Sequence, residues 1–265
     1  MGWRRDELRD QLVASRIAGA VATPRENNLR NYRRMSDREP LWLLGLEPVG
    51  SWRPDEVLAL MAERCGVSPD PDHTVGQDTI DPDRTLDRLD AMADRLRSAA
   101  DRRERVLLAT GHPGALGPVH AAVANGLAAA GCPLLEAADG WQHPADPAYL
   151  YQVGTVRYRD RVAMLTHEDG RPAHTHSPLP MRAILAELAA RGEPPPDLVV
   201  ADHGWTGAAG QAGIDAVGFA DCNDPALFVG EAEGTVRVCV PLDDNVDPEL
   251  YLPLTEYLLD RAGLG

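Results

Sequence analysis

The feature that most constrains the fold is a repeated pattern from Arg105 onward: short apolar runs, each ending in Gly, Asp or His and each followed by a helical stretch. This alternation is typical of βα units, which build a largely parallel sheet. We therefore predict an α/β fold with a Rossmann-like sheet and helices on both faces. The pattern predicts strands at 106–110, 133–135, 198–201, 216–220 and 236–240.

The first hundred residues lack this alternation and show apolar residues at helical spacing instead. Helices are expected at 8–21, 57–62 and 82–103. We predict a helical N-terminal region over residues 1–103 and a Rossmann-like α/β domain over residues 104–265, packed as one compact unit. Residues 149–167 alternate like a hairpin and are interpreted as an antiparallel insertion or edge.

The composition excludes several classes of protein. The net charge of −15 and the absence of lysine argue against a nucleic-acid binder, which needs a basic face. Four cysteines without a CxxC pair argue against a zinc knuckle or a disulfide framework and favour reduced thiols in the cytoplasm. Neither a signal peptide nor an apolar run of about 20 residues is apparent, so we expect no membrane partner. A homo-oligomer remains open.

Polar residues follow the predicted strands, and the carboxyl ends of parallel strands share one edge of a sheet. Asp202 and His203 end one strand, and Gly204 follows them. This pair could ligate a divalent cation, or His203 could act as a general acid or base oriented by a carboxylate. The same pattern also fits a helix cap at Asp202 and a histidine that only satisfies local hydrogen bonds.

Two acidic clusters follow the last two predicted strands. Asp221 and Asp224 follow the first of these strands, and Asp243 and Asp244 follow the second. Carboxylate ligands suit Mg²⁺ or Mn²⁺, so these four residues and Asp202 are the predicted metal ligands. Ordinary turn and cap chemistry is the alternative, and the sequence leaves open which of Asp243 and Asp244 points inward.

Three further histidines are candidates for the site. His112 lies in a Gly-His-Pro-Gly loop after the first predicted strand, as a possible ligand or acid. His174 and His176 would lie on one side of an extended segment and could clamp a metal or phosphate, with Ser177 beside them. A helix start capped by Ser177 is the alternative. The remaining histidines have no supporting pattern and are interpreted as structural or exposed: His73, His120, His143 and His167.

A segment rich in arginine and asparagine, residues 23–34, offers positive charge near the N-terminus. Arginine suits bidentate recognition of phosphate, and Arg25, Asn28 and Arg30 are the predicted substrate-binding residues of this segment, together with His174, His176, Ser177 and Gly204. A solvated helix face with salt bridges is the alternative interpretation.

Several of these motifs together resemble a group of actinobacterial proteins that are identified only as phosphatases, and the resemblance runs nearly end to end. It is carried by residues 24–32, 110–113, 174–178, 202–205, 221–225 and 241–244. The resemblance implies a phosphoric monoester hydrolase. The layout of the chain is also similar in architecture to the metal-dependent damage-control phosphatases, without a shared motif.

The DxDx[TV], RHG and CX5R motifs of other phosphatases are absent from the sequence, which favours metal-assisted attack by water. We expect a phosphatase of a small phosphorylated metabolite that uses a divalent metal, Mg²⁺ or Mn²⁺. Asp202, Asp221 and Asp243 would bind metal, and His112, His203 and the N-terminal arginines would hold phosphate or transfer protons. The alternatives are a non-phosphatase hydrolase or lyase with His203 as base, and a metabolite-binding protein without catalysis.

Overall fold

The computed structural model describes residues 2–265, which form a doubly wound α/β fold. The strands are β1 (Gly19–Pro24), β2 (Gln77–Ile80), β3 (Val106–Ala109), β4 (Gln142–His143), β5 (Gly154–Arg159), β6 (Val162–Thr166), β7 (Pro172–Ala173), β8 (Leu198–Asp202), β9 (Asp215–Ala220) and β10 (Val238–Pro241). The helices are α1 (Arg5–Ala14), α2 (Arg25–Ser36), α3 (Pro54–Arg64), α4 (Pro82–Arg102), α5 (Gly117–Ala129), α6 (Leu179–Ala190), α7 (His203–Gln211), α8 (Pro225–Ala232) and α9 (Leu252–Ala262). The predicted α/β class is confirmed.

The main sheet has the strand order β10-β9-β8-β3-β6-β5-β4, and β7 pairs with β6. The five strands from β10 to β6 run parallel, whereas β4, β5 and β7 are antiparallel to their neighbours. The chain moves outward from β3 to β6 and then returns to β8 on the other side of β3. The direction of winding therefore reverses between β3 and β8, and doubly wound sheets bind ligands at such a switch point.

Alternating residues of the parallel strands pack against two helical layers. Val106 and Leu108 face a core that includes buried residues of α4, α5 and α9. Leu107 and Ala109 face a second core, which includes residues of α6 and α7. Because successive side chains of a strand point to opposite faces, a fully apolar strand such as β3 needs a helix layer on each side. The two cores bury the sheet and leave its carboxyl edge for polar groups.

The N-terminal region is less helical than the sequence predicted. The helix expected at 8–21 ends at Ala14, and residues from Gly19 form β1, which pairs with β2 in a two-stranded antiparallel ribbon. Arg16 and Gly19 have φ angles of 61° and 74°, so the backbone leaves the helix there. Apolar residues of α1, α3 and α4 belong to the same core as the sheet.

Two expectations for the sheet need correction. Residues 133–135 form an isolated parallel bridge between Leu134 and Val106 rather than a strand. The hairpin expected at 149–167 is present as β5 and β6, but β6 also pairs in parallel with the end of β3. Residues 133–135 pair only with the start of β3 at Val106, and β6 pairs with its end at Leu108 and Ala109.

Within residues 2–265, no helix combines the length and apolarity that crossing a membrane requires. All four cysteines are free and buried.

Candidate functional site

The candidate site lies at the switch point, where loops from the carboxyl edge of the sheet meet. His112 follows β3, His203 follows β8, Asp224 follows β9 and Asp244 follows β10. His112 Nδ1 lies 3.0 Å from His203 Nδ1, and His203 Nε2 lies 3.1 Å from Asp224 Oδ2 and 3.3 Å from Asp244 Oδ2. The structure therefore brings together four loops that are far apart in the sequence.

Asp202, at the end of β8, is fully buried and its carboxylate accepts hydrogen bonds at both oxygens. Oδ2 accepts from Thr110 Oγ1 at 2.6 Å and faces His120 Nε2 at 3.0 Å, and Oδ1 accepts from Gly111 N at 2.6 Å and faces His203 Nδ1 at 2.9 Å. A carboxylate has about four lone-pair positions, and these contacts fill them. The structure therefore leaves Asp202 little capacity as a metal ligand and shows it orienting His203.

His203 begins α7 directly after β8 and is fully buried. Its φ of 47° is rare for a residue with a side chain and turns the chain sharply from strand into helix. Burial by itself would lower the pKa of His203, but Asp224, Asp202 and Asp244 raise it well above the ordinary value. His203 therefore lies among three carboxylates that favour its protonated form.

Two glycines let the surrounding loops approach this turn closely. A Cβ on Gly111 would lie 2.3 Å from Thr175 O, and a Cβ on Gly204 would lie 2.2 Å from His176 O. Real Cβ atoms do not come this near to a carbonyl oxygen. The segment before α6, which carries both residues of the HxH motif, is therefore held against the start of α7.

His112, His174 and His176 form an imidazole group beside His203. The ring centroids of His112 and His174 lie 3.9 Å apart, and those of His176 and His203 lie 4.5 Å apart. Burial, and then the neighbouring imidazoles, lowers the pKa of His174 to about 4. Burial also lowers the pKa of His112 and, more strongly, that of His176. These three imidazoles are neutral near pH 7, which is the form that binds a metal.

Four buried carboxylates complete the site. Asp221 accepts hydrogen bonds from the Thr23 hydroxyl, Asn223 Nδ2 and Cys222 N. Burial, and then Asp244 and Asp243, raise the pKa of Asp221 well above the ordinary value. A cation among these groups would remove the repulsion that keeps a carboxylate protonated.

The partners of Asp243 and Asp224 fix their positions. Asp243 Oδ2 accepts from Ala22 N and Oδ1 from Asn245 N, each at 3.1 Å. Asp224 Oδ1 lies 3.9 Å from His176 Nδ1. The sequence left open which of Asp243 and Asp244 points inward. In the structure both lie in the site.

The ligand atoms form three overlapping groups, each with atoms within 4.8 Å of one another. We call their eight residues the strand-end cluster. The groups are His112, His174, His176 and His203; then His203, Asp224 and Asp244; and then Asp221, Asp243 and Asp244. Two buried atoms of the cluster, Asp244 Oδ2 and His176 Nδ1, have no hydrogen-bond partner within residues 2–265. Unsatisfied acceptors among excess carboxylates suit a bound cation.

The predicted phosphate-binding segment touches the site through Thr23, which donates to Asp221, but its predicted phosphate ligands Arg25 and Asn28 have other partners. Arg25 is fully buried and donates to Asp78 Oδ2 and to two carbonyl oxygens. Asn28 is buried and donates to the same Asp78 oxygen, whereas Arg30 is exposed on α2. Asn28 Nδ2 also lies 3.4 Å from Cys222 Sγ, and the Tyr32 hydroxyl donates to Cys222 O, so α2 packs against the loop that follows β9.

Ser177 and Gly204 also have structural roles. Ser177 is fully buried, its Oγ accepts from Leu179 N at 3.2 Å, and His143 Nε2 lies 2.7 Å away. The helix start that the sequence offered as an alternative is present, but α6 begins at Leu179 and its N-cap is Pro178 rather than Ser177. Gly204 allows close packing of α7 against the backbone of His176.

Sequence reasoning missed the partners of the site. His120 was interpreted as structural or exposed, yet it is fully buried on α5 and faces Asp202. Thr23 on β1 donates to Asp221, and Thr110 donates to Asp202. The only signal in the sequence is a histidine on the apolar face of a helix, which cannot be linked to a strand end 82 residues away without the topology.

An open cleft of about 800 Å³ leads to the imidazole group. His112 and His174 form part of its wall, together with His167 and Arg171 from the turn between β6 and β7 and with Asn245. His174 is exposed to this cleft side of the protein, whereas Asp224 and Asp244 are buried behind it. A small molecule in the cleft would meet imidazoles before it meets carboxylates.

The fold and site define a doubly wound α/β protein with a buried His/Asp cluster at its switch point. A family model described as Phosphatase matches residues 3–265, and the chain belongs to this family. Phosphatase SCO2771 of Streptomyces coelicolor is 52% identical over 262 residues, which cover 98% of this chain and 97% of that protein. The expected resemblance is confirmed, and both comparisons support phosphatase activity and therefore a hydrolase.

Proposed function

We propose that the protein is a divalent-metal-dependent phosphatase that hydrolyses the phosphate monoester of a small metabolite in the cleft beside His112 and His174. The observation that carries the proposal is the strand-end cluster, in which three groups of possible metal ligands overlap at the switch point and two buried atoms lack partners. Buried carboxylates repel an anion, so a site that only binds an anion would not contain four of them.

The residues present fit a cation best at His203, Asp224 and Asp244. His203 Nδ1 faces Asp202, so its Nε2 can serve as a ligand beside the two carboxylates. A histidine ligand held by a carboxylate at its other nitrogen is the usual arrangement in metal sites. The imidazoles favour Mn²⁺ or another transition-metal ion over Mg²⁺ at this position. A bound cation would supply polarisation of the phosphoryl group and neutralisation of its charge.

The side chains along the cleft would bind the ester and manage its proton. His112 and His174 lie at the cleft wall and can donate hydrogen bonds to phosphate oxygens. A phosphate dianion beside His112 would raise its lowered pKa, and His112 is therefore the proposed proton donor to the leaving oxygen. Asp202 holds His203 in one orientation and does not touch substrate.

The experiment that tests this function uses p-nitrophenyl phosphate and a panel of phosphorylated metabolites, assayed with Mn²⁺, Mg²⁺, Co²⁺ or EDTA. The expected result is hydrolysis that EDTA abolishes and Mn²⁺ restores, and that is lost in Asp224→Asn. Asp101→Asn is the matched control, because Asp101 is exposed on α4 and belongs to none of the ligand groups. Hydrolysis that persists in EDTA would contradict metal dependence. Tight binding of a phosphorylated metabolite without turnover would favour a binding protein.

A further inference from the structure

The two ends of the strand-end cluster differ in chemistry. At one end Asp221, Asp243 and Asp244 offer only carboxylate oxygens. The four histidines at the other end offer only ring nitrogens, and the two ends share no residue. Oxygen ligands suit hard cations, whereas imidazole suits transition-metal ions, so a single cation would leave one end of the cluster unused.

We propose that the strand-end cluster binds two divalent cations side by side and that Asp244 is a ligand of both. The oxygen subsite consists of Asp221, Asp243 and Asp244. The imidazole subsite consists of His203, Asp224 and Asp244 with the neighbouring His174 and His176, and His112 at the cleft wall is left to act on the substrate. This inference rests on the proposed function, because it assigns the number and kind of cations to the same site.

Asp244 is suited to the shared position because its carboxylate is buried and poorly satisfied by the protein. The residue is 4% exposed, and Oδ2 has no hydrogen-bond partner among the residues described. Its nearest groups are His203 Nε2, 3.3 Å from Oδ2, and His112 Nε2, 3.7 Å from Oδ1. Asp244 also belongs to two of the three ligand groups. A buried carboxylate in this state is costly unless cations complete it.

The carboxylates of the oxygen subsite are held in place but keep free lone pairs. Asp243 accepts one hydrogen bond at each oxygen, and Asp221 accepts three in total. A carboxylate has about four lone-pair positions, so each retains at least one for a cation. Ala22 and Thr23 of β1 supply two of these hydrogen bonds, and the N-terminal ribbon therefore positions the oxygen subsite.

The charges also favour two cations over one. Hydrogen bonds occupy both oxygens of Asp202, which leaves the carboxylates of Asp221, Asp224, Asp243 and Asp244 as possible ligands. Each of the four is buried, and no arginine forms an ion pair with any of them among the described residues. Two divalent cations would balance these four charges while the imidazoles stay neutral.

The test counts cations directly and does not depend on turnover. Full-length protein is stripped with EDTA, dialysed, loaded with Mn²⁺ and measured by ICP-MS and EPR. The expected result for the wild type is two Mn²⁺ per chain with an exchange-coupled EPR signal. Asp243→Asn and the double variant His174→Ala/His176→Ala are each expected to lose one Mn²⁺ and the coupling, and the exposed control Asp101→Asn is expected to keep both.

One Mn²⁺ per chain in the saturated wild type would overturn the inference, and so would two uncoupled Mn²⁺ that Asp243→Asn leaves unchanged. The wild-type count needs no variant, so a variant that fails to fold does not remove the test. If the loaded protein holds two cations but hydrolyses no phosphate ester, the proposed function fails and this inference stands. If the loaded protein holds a single cation and shows metal-dependent hydrolysis, this inference fails and the proposed function stands.

Discussion

Two buried polar regions of this protein differ in how far the chain itself satisfies their polar groups. The first, which we call the Arg25 network, contains Arg25, Asn28 and Asp78, and the second is the strand-end cluster. Asp78 accepts hydrogen bonds from Arg25, Asn28, Ser68 N and Thr79 N, and its charge is balanced by the guanidinium. The strand-end cluster has surplus carboxylates, and Asp244 Oδ2 and His176 Nδ1 have no hydrogen-bond partner among residues 2–265.

Burial of a polar group does not by itself indicate function. A buried polar group indicates a functional site when the chain supplies no hydrogen-bond or charge partner for it. The Arg25 network is complete within the chain, so it stabilises the fold. The strand-end cluster is incomplete, so it needs something from outside the chain. Substitutions in the two regions should therefore separate stability from activity.

The largest expected effect is on activity, in Asp244→Asn. Loss of the carboxylate that faces both His112 and His203 should lower kcat/KM by about 10³-fold or more, which corresponds to about 4 kcal/mol of transition-state stabilisation. In EDTA the variant should be no less stable than the wild type towards urea, because one buried charge has been removed. A large loss of stability in EDTA would show that the cluster is complete without a cation.

The second effect is on stability, in Arg25→Met. Removal of one partner of a buried ion pair typically costs about 3–5 kcal/mol of unfolding free energy. Urea unfolding should show this loss, while kcat of the folded variant at low temperature should stay near that of the wild type. The double variant Arg25→Met/Asp78→Asn should recover part of the stability, since it no longer buries an unpaired carboxylate.

The stability of the single variant Arg25→Met should also depend on pH. Burial would raise the pKa of Asp78, but hydrogen bonds from Arg25, two backbone amides and Asn28 lower it below its ordinary value. A lowered carboxyl pKa contributes stability that is complete at neutral pH and is lost as the pH falls through the folded-state pKa. The stability difference between wild type and Arg25→Met should therefore shrink in acid. A difference that grows on acidification would contradict the pairing.

A smaller effect is expected when the support of His203 is weakened. Thr110→Val removes the hydroxyl that donates to Asp202 and keeps the shape of the side chain. Groups that orient a histidine ligand typically change metal affinity or activity by about 10–100-fold. Mn²⁺ titration by calorimetry should show weaker binding, with the number of bound cations unchanged. Unchanged affinity would mean that Asp202 does not act through His203.

The smallest effect is expected for Arg30→Ala. Arg30 is exposed on α2, and the structure does not bring it to the cleft. Stability should change by no more than about 0.5 kcal/mol, as for most surface substitutions, and KM should not change. A marked rise in KM would restore the phosphate-binding role that the sequence suggested for this segment.

The sequence predicted the sheet and its polar edge because strand periodicity and strand endings are local signals. Asp221, Asp243 and His203 could be placed at one edge, since parallel strands share their carboxyl ends. The contrast between Asp202 and Asp244 could not be predicted. Both are aspartates near strand ends. Thr110, Gly111 and His120 saturate Asp202, whereas Asp244 Oδ2 lacks a hydrogen-bond partner among the described residues.

The role of Arg25 also could not be predicted from the sequence. Its segment is rich in residues that bind phosphate, but the ribbon of β1 and β2 places Asp78 beside it and encloses the guanidinium. The helical spacing of α2 is readable in the sequence, whereas its partner 53 residues away is not. The structure therefore changed the role of Arg25 without changing the predicted fold class.

The most direct test of the account is thermal unfolding of EDTA-treated protein as Mn²⁺ is added. A ligand at 100 times its Kd stabilises the folded state by about 2.7 kcal/mol, so the Tm of the wild type should rise with Mn²⁺. Arg25→Met should start lower and rise by a similar amount, and Asp244→Asn should not rise in this way. Two results would contradict the claim that a cation completes the strand-end cluster. One is a wild-type Tm that does not change with Mn²⁺, and the other is an Asp244→Asn variant whose Tm rises as much as that of the wild type.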